Sequence, residues 1–358
     1  MSRTERLPLS FDQINAQWLT RMLNPAYPGI EVTKYDVVQE ILGHTSKARI
    51  RVAFNDVGVA AGIPNDLCIK GNFTGNPLSS AVCANEARFY GLLRSQINMA
   101  APQCYLAVWD DDEHGQQGII LLDDLITLGG EFSGSHHPIN ADEMALALTE
   151  MAEIHGRSWG SPLLDQQDWL QQSMAPETVW DDYWGMMKEI FERHNSLPER
   201  LAIFPQWMAE DTYRLRKAFK QMCAHETAYT GKRCIVHGDA HLGNSYRKPT
   251  GERIWFDWQI VRKGLPWRDL TYFMIGSMTI DDRRKNEKAL LQHYLDHFIA
   301  NGGEAFSFDH VWDEYRRKVI WGLVAWQSNI NPNEQTMGPL ERFCRAADDL
   351  DTQAFYTF

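Results

Sequence analysis

The sequence predicts an α+β protein of two lobes, the first rich in strands and the second in helices. Three observations carry this. Strand-like alternation and short apolar runs are concentrated in the first third of the chain, up to Leu125. From Asn140 onward, apolar residues recur mostly at helical spacing. One dense polar stretch, Cys234–Gln259, breaks that helical region with two short apolar runs. A length of 358 residues also suits two domains on a prior of about 150 residues each. The expected division is 1–124 and 125–358.

Ser10, with Gln13 three residues on, reads as a capping box. It would open a helix with Phe11, Ile14, Trp18 and Met22 on its core face, ending at Asn24, Pro25 and Pro28. Val32–Leu42 is β-rich. Gly43-His-Thr-Ser-Lys-Ala48 is a small polar turn, after which Ala48, Ile50, Val52 and Phe54 alternate as a half-buried strand does. A strand, a turn of small residues and a strand can cover a phosphate with backbone N–H groups. Taken alone, a single glycine favours an ordinary hairpin. Gly58–Asp66 reads as a loop. Leu67–Gly71 is a short strand with Leu67 and Ile69 on one face and Cys68 and Lys70 on the other. Ser80–Arg94 is helical, with Val82, Phe89 and Leu93 toward the core and Glu86 near that face. Strands Tyr105–Trp109 and Gly118–Leu122, then Asp123-Asp-Leu125, close the first lobe.

Gly129–Pro138 is a Gly/Ser/His loop. Asn140 and Glu143 form a second capping box, followed by a stripe of Met144, Leu148, Met151 and His155. His136, His137 and His155 have no further ligand at metal-site spacing and read as loop or core histidines. Gly156-Arg-Ser-Trp-Gly160 has the letters of a nucleophile elbow, which requires a strand before it and a helix after it. Here it follows an amphipathic helix and reads as that helix's C-terminus; a hydrolase using Ser158 is the competing reading. Gly231-Lys232 lacks the rest of a P-loop, and His225-Glu226 lacks the second histidine of a zinc protease. Residues 162–230 are helix-rich. Their Trp169, Trp180, Tyr183, Trp184 and Trp207 can pack in the core or line a pocket for an apolar or cationic ligand. A helix begins at Trp267. Asp281–Phe298, Asp309–Gln327 and Pro339–Leu350 complete the lobe, the last amphipathic through Leu340, Phe343, Ala347 and Leu350.

A net charge of −12 argues against a nucleic-acid surface and a polybasic membrane anchor. The six cysteines are scattered, with no Cys-x-x-Cys, as in a reduced cytoplasmic protein. The N-terminus lacks the apolar stretch of a signal peptide, and no run is long and apolar enough to span a bilayer.

In the polar stretch, Cys234-Ile-Val236 is a short strand and His237, Gly238, Asp239, His241 and Asn244 follow. Pro249-Thr-Gly251 turns the chain, and Ile254–Phe256 makes a second strand ending on Asp257. Two strands joined by a polar loop would bring Asp239, Asn244 and Asp257 together. Mg²⁺ prefers carboxylate and amide oxygens and is usually completed by substrate phosphates. A carboxylate left free of metal can orient and deprotonate an attacking hydroxyl. The plainer alternative is a hairpin loop whose Asp and Asn cap turns, which would not require the second Asp.

The pattern His-Gly-Asp-x-His-x-x-Asn, with an Asp closing a later apolar strand, resembles the aminoglycoside phosphotransferase and choline kinase superfamily. The continuation Phe256-Asp-Trp-Gln259 and Gly264-Leu-Pro-Trp-Arg-Asp-Leu-Thr-Tyr-Phe273 looks most like its ecdysteroid-kinase-like branch. The resemblance runs from about Val32 to Leu350. It implies a protein-kinase-like α+β fold, with a mostly antiparallel N-terminal sheet lobe and a larger helical C-terminal lobe. It also implies ATP- and Mg²⁺-dependent phosphorylation of a hydroxyl on a small molecule: a bulky apolar alcohol, an amino alcohol or an antibiotic. By this resemblance Asp239 is the base, Asn244 and Asp257 hold Mg²⁺, and Lys70, positioned by Glu86, neutralises phosphate charge. Thr45 and Ser46 cover the phosphates, and Asp123 and Leu125 mark a hinge whose backbone meets the nucleotide base. Asp269 braces the catalytic loop, and His237 and His241 shape it, His241 with the option of touching the acceptor. A protein kinase would carry His-Arg-Asp, Asp-Phe-Gly and a later Ala-Pro-Glu. This chain has His237-Gly-Asp239 and Asp257-Trp-Gln259 and lacks the third motif. A non-catalytic nucleotide-binding protein of the same fold stays open.

Overall fold

The computed structural model describes residues 6–43, 45–110, 117–173, 192–193, 195–329 and 333–358. His44 of the small polar turn, and Trp180, Tyr183 and Trp184, lie outside them. The chain forms two compact units: Met1–Glu131 with Tyr246–Val261, and Phe132–Ser245 with Arg262–Phe358.

The first unit carries a five-stranded antiparallel sheet in the order β1-β2-β3-β5-β4. The strands are β1 (Val32–Ile41), β2 (Ser46–Phe54), β3 (Asp66–Gly71), β4 (Cys104–Trp109) and β5 (Gly118–Asp123). Successive side chains of a strand point to opposite faces. Ala48, Ile50 and Val52 of β2 therefore share one core with Leu67 and Ile69 of β3 and Ile119 and Leu121 of β5. Lys70 is left to the opposite face. Helix Pro77–Arg88 packs against β5. Gly118 permits that approach, since a Cβ there would lie 2.1 Å from the Cys83 carbonyl oxygen. The helix runs on through a π-helical turn, Phe89–Leu93, into Arg94–Ile97.

Two local expectations are corrected. The opening helix is Ala16–Leu23, capped by Asn15, whose side chain accepts from Trp18 N at 3.0 Å. Ser10 heads only the 3₁₀ turn Phe11–Gln13 and makes no side-chain cap bond, while Gln13 Oε1 accepts from Leu9 N at 2.8 Å. The run read as a loop from Gly58 begins inside a one-turn helix, Asp56–Ala60, capped by Asn55. One turn is too short to show a helical period.

The second unit is mostly helical. Helix Ala141–Ser158 starts at the expected capping box: Asn140 Oδ1 accepts from the Asp142 and Glu143 amides, and Glu143 Oε2 accepts from Asn140 N. It buries Met144, Leu148, Met151 and His155. Helices Tyr213–Ala228, Trp267–Ser277, Ile280–Ala300, Phe308–Gln327 and Glu334–Asp349 follow. Every residue of Trp267–Ser277 is buried, which makes it the central helix of this unit. Leu340, Phe343, Ala347 and Leu350 are buried as the last helix's pattern requires. Ser158 lies at a helix C-terminus, fully buried. Its Oγ donates to Ile154 O (2.7 Å) and accepts from Ile235 N (3.0 Å). That is a structural hydroxyl, without the strand-turn-helix setting of a nucleophile elbow. Among the described residues no helix is long and apolar enough to cross a membrane.

Candidate functional site

In the first unit, Lys70 Nζ sits 2.7 Å from Glu86 Oε2 and 2.8 Å from Asp257 Oδ1. Strand periodicity places Lys70, helix Pro77–Arg88 places Glu86, and Asp257 comes just after strand Arg253–Trp255. Asp257 has left-handed backbone angles (φ 66°, ψ 55°). The next residue is tied down three ways. Trp258 N donates to Glu86 Oε1 (3.0 Å), its indole N–H to Trp255 O (2.9 Å), and its ring stacks on Phe89 at 4.2 Å and 11°. Burial works against charge on Lys70, but Asp257 and Glu86 outweigh it and raise the ammonium pKa. Burial likewise pushes the Glu86 carboxyl up, opposed by Lys70.

The other first-unit candidates surround this sheet. Ser46 opens β2 opposite Gly71, fully buried, with no hydrogen-bond partner for its Oγ among the described residues. Thr45 is half-buried in the turn before it. Asp123 accepts from Tyr105 OH (2.8 Å) and from Gln103 N (3.2 Å), so its carboxylate is engaged at the end of the sheet. Leu125 packs with Tyr246 and Ile254.

In the second unit, strand Cys234–Val236 leads into the polar loop. Gly238 takes a positive φ of 88°, a conformation open to glycine. Asp269, from the buried helix, accepts from His237 N (2.5 Å) and Gly238 N (3.0 Å). His155 Nε2 lies 3.5 Å from Asp269, and His155 Nδ1 lies 2.7 Å from Tyr294 OH. Burial works against the Asp269 charge, but His155 and His237 beside it hold the carboxyl below its ordinary value. His237 Nδ1 accepts from Asp239 N at 3.2 Å. Asn244 Nδ2 donates to Asp239 O (3.0 Å) and Asp239 Oδ2 (3.2 Å), leaving Oδ1 as the amide's acceptor for a cation. His241 Nδ1 accepts from Gly243 N (3.0 Å), and its Nε2 lies 3.7 Å from Asp239 Oδ2. The His241 ring meets Trp326 and Tyr272 edge-on at 5.6 and 6.3 Å. Exposure separates the two aspartates: the Asp239 side chain is 29% accessible and that of Asp269 1%. Asp239 can reach a ligand, and Asp269 can only hold the loop.

The structure thus brings Lys70, Glu86 and Asp257 together in one unit, and Asp239, His241 and Asn244 together in the other. The two-strand picture of this stretch is corrected. Cys234–Val236 pairs with Arg262–Gly264, the later strand is Arg253–Trp255, and Ser245–Arg247 is a strand of its own with Tyr246 fully buried. Three residues are too few for alternation to be read. Sequence reasoning gave no role to Trp258 or Arg268. It read His155 as a core or loop histidine, and His155 is indeed buried, though its contact with Asp269 was not foreseen. Arg268 Nη2 donates to Gly238 O; the only signal was its place beside Asp269.

Residues 85–303 match the sequence model of a family described as ecdysteroid kinase-like. No curated protein sequence matches. Among solved structures the chain is similar to a spectinomycin phosphotransferase in complex with ADP and spectinomycin, at 13% identity over 95% of this chain and 99% of that one, with a TM-score of 0.48. It is also similar to choline kinase LicA from Streptococcus pneumoniae (12% identity, 94% and 98% covered, TM-score 0.48). A Plasmodium vivax ethanolamine kinase is a third (12% identity, 88% and 83% covered, TM-score 0.49).

Proposed function

The chain belongs to the ecdysteroid kinase-like family, and we propose that it transfers the γ-phosphoryl group of ATP to a hydroxyl of a small molecule, with Mg²⁺. The observation that carries this reading is the Lys70 cluster. A buried ammonium is fixed by one carboxylate that is 2% exposed, Glu86, and one that is 21% exposed, Asp257. One is sealed and only positions Lys70; the other is open to a cation.

In this reading Lys70 neutralises phosphate charge, and Glu86 keeps it in place. Thr45 and Ser46 lie at the turn that would cover the phosphates with backbone N–H groups; the Ser46 hydroxyl, fully buried, is not itself a contact. The backbone from Asp123 to Leu125 meets the nucleotide base. Mg²⁺ takes oxygen ligands, and by the family resemblance the Asp257 carboxylate of the first unit and the Asn244 amide oxygen of the second would each supply one. When bound, the ion supplies charge neutralisation on the phosphates. Asp239 orients the acceptor hydroxyl and takes its proton, held by the two Asn244 N–H bonds. His241 would touch the acceptor; its position beside Asp239, Trp326 and Tyr272 supports this. The family points to a bulky, fairly apolar alcohol as acceptor. Six free cysteines suit a reducing, cytoplasmic setting.

Steady-state formation of ADP with Mg²⁺, across a panel of hydroxylated metabolites and antibiotics, tests the role of Asp239. Losing a general base costs about 10²- to 10⁴-fold in rate. Asp239→Asn should lower kcat by that factor while the KM for ATP stays near that of the wild type. Near-normal turnover in the variant would remove Asp239 from the chemistry.

A further inference from the structure

Two peptide groups lead into Asp239, and each is held by a side chain from the same helix turn. The Gly238 N–H is taken by Asp269 at 3.0 Å. The Gly238 carbonyl oxygen is taken by Arg268 Nη2. That oxygen belongs to the same peptide as the Asp239 nitrogen, which donates to His237 Nδ1. The peptide entering Asp239 is thereby pinned at both its oxygen and its nitrogen. Arg268 is itself fixed: Nη1 donates to Ser173 Oγ at 3.1 Å, and the guanidinium lies 4.0 Å over the Trp321 ring. It is 4% exposed, and Ser173 is 1% exposed. Burying a cation is expensive, and here it is engaged by a carbonyl, a hydroxyl and a ring face. The arginine fork reaches its two partners from two separate nitrogens while its plane lies over the ring; the ammonium of lysine donates from a single nitrogen and has no plane to stack.

We infer that Arg268 is a positioning residue for the base: it sets the plane of the Gly238–Asp239 peptide and so the direction of the Asp239 carboxylate. Its catalytic meaning rests on the phosphotransfer reading above; the clamp itself does not.

The test combines kinetics with amide hydrogen exchange on Arg268→Lys and Ser173→Ala. Lysine keeps the charge and loses the fork. Ser173→Ala loosens the guanidinium without altering the loop or the arginine. A misplacement of about 1 Å in a catalytic group can cost about 10²-fold. Arg268→Lys should lower kcat by about that much with an unchanged KM for ATP, and Ser173→Ala should lower it less, in the same direction. In both, exchange should quicken across 237–244 while Cys234–Val236 and helix Trp267–Ser277 keep their protection. An unchanged kcat with unchanged loop exchange would overturn the inference. So would protection lost equally across that strand and helix, the mark of general destabilisation. A wild type that binds Mg-ATP but never turns it over, with the loop still loosened by Arg268→Lys, would uphold the clamp and overturn the phosphotransfer reading.

Discussion

Lys70 is a buried cation with two carboxylate partners. Removing it leaves Glu86 and Asp257 as neighbouring like charges, Glu86 almost without solvent. Breaking a buried pair by deleting one member costs about 3–5 kcal/mol. Lys70→Met should therefore lose stability in that range in denaturant titrations and bind Mg-ATP poorly. A variant as stable as the wild type would mean that Glu86 takes up a proton when its cation is gone. Asp257 is also under backbone strain, since a left-handed conformation costs a non-glycine residue about 1–2 kcal/mol. The Trp258 bond to Glu86 and its stack on Phe89 hold it there. At this scale the candidate charged and amide residues were legible, and so was the pairing of Lys70 with Glu86, because residue type and order are read directly from a sequence. Trp258 and Arg268 were not. Each acts on or through a backbone group, and every residue has one.

Among the elements, helices Tyr213–Ala228 and Phe308–Gln327 are joined by buried charge. Lys318 Nζ donates to Glu226 Oε2 at 2.6 Å, both side chains fully buried, and His225 Nε2 lies 2.7 Å from Glu314 Oε1. Burial opposes charge on Glu314, but His225, Lys318 and Arg317 hold its carboxyl below the ordinary 4.5. A depressed folded pKa gives stability that is present above the unfolded value and lost as pH falls through the folded one. Unfolding midpoints should thus decline as pH drops below about 4.5, and Glu314→Gln should start lower at neutral pH and decline less steeply. Equal slopes for variant and wild type would show that Glu314 is not part of the acid response. The long elements were readable because their periods repeat: β2 alternates, and Met144, Leu148, Met151 and His155 form one stripe. Asp56–Ala60 and Ser245–Arg247 fit inside a single period and left no trace.

On the scale of the whole chain, the informative feature is the return of Tyr246–Val261 to the first unit. That return brings Asp257 to Lys70 and Glu86, residues far apart in sequence. Periodicity reports which face of a segment is buried, and it is silent on the neighbour that buries it. The α+β character and the polar loop could be foreseen; the irregularly spaced tryptophans of 162–230 gave no period from which to read a pocket. The proposed activity can be followed through the phosphorus atom itself. The wild type would be incubated with Mg²⁺, ATP labelled at the γ-phosphate, and hydroxylated steroids, amino alcohols and aminoglycosides, and the products separated. Label should enter a phosphate ester of one acceptor class, and should fail to do so with Asp239→Asn. Label released only as inorganic phosphate, or left on ATP that is demonstrably bound, would contradict phosphoryl transfer to an alcohol.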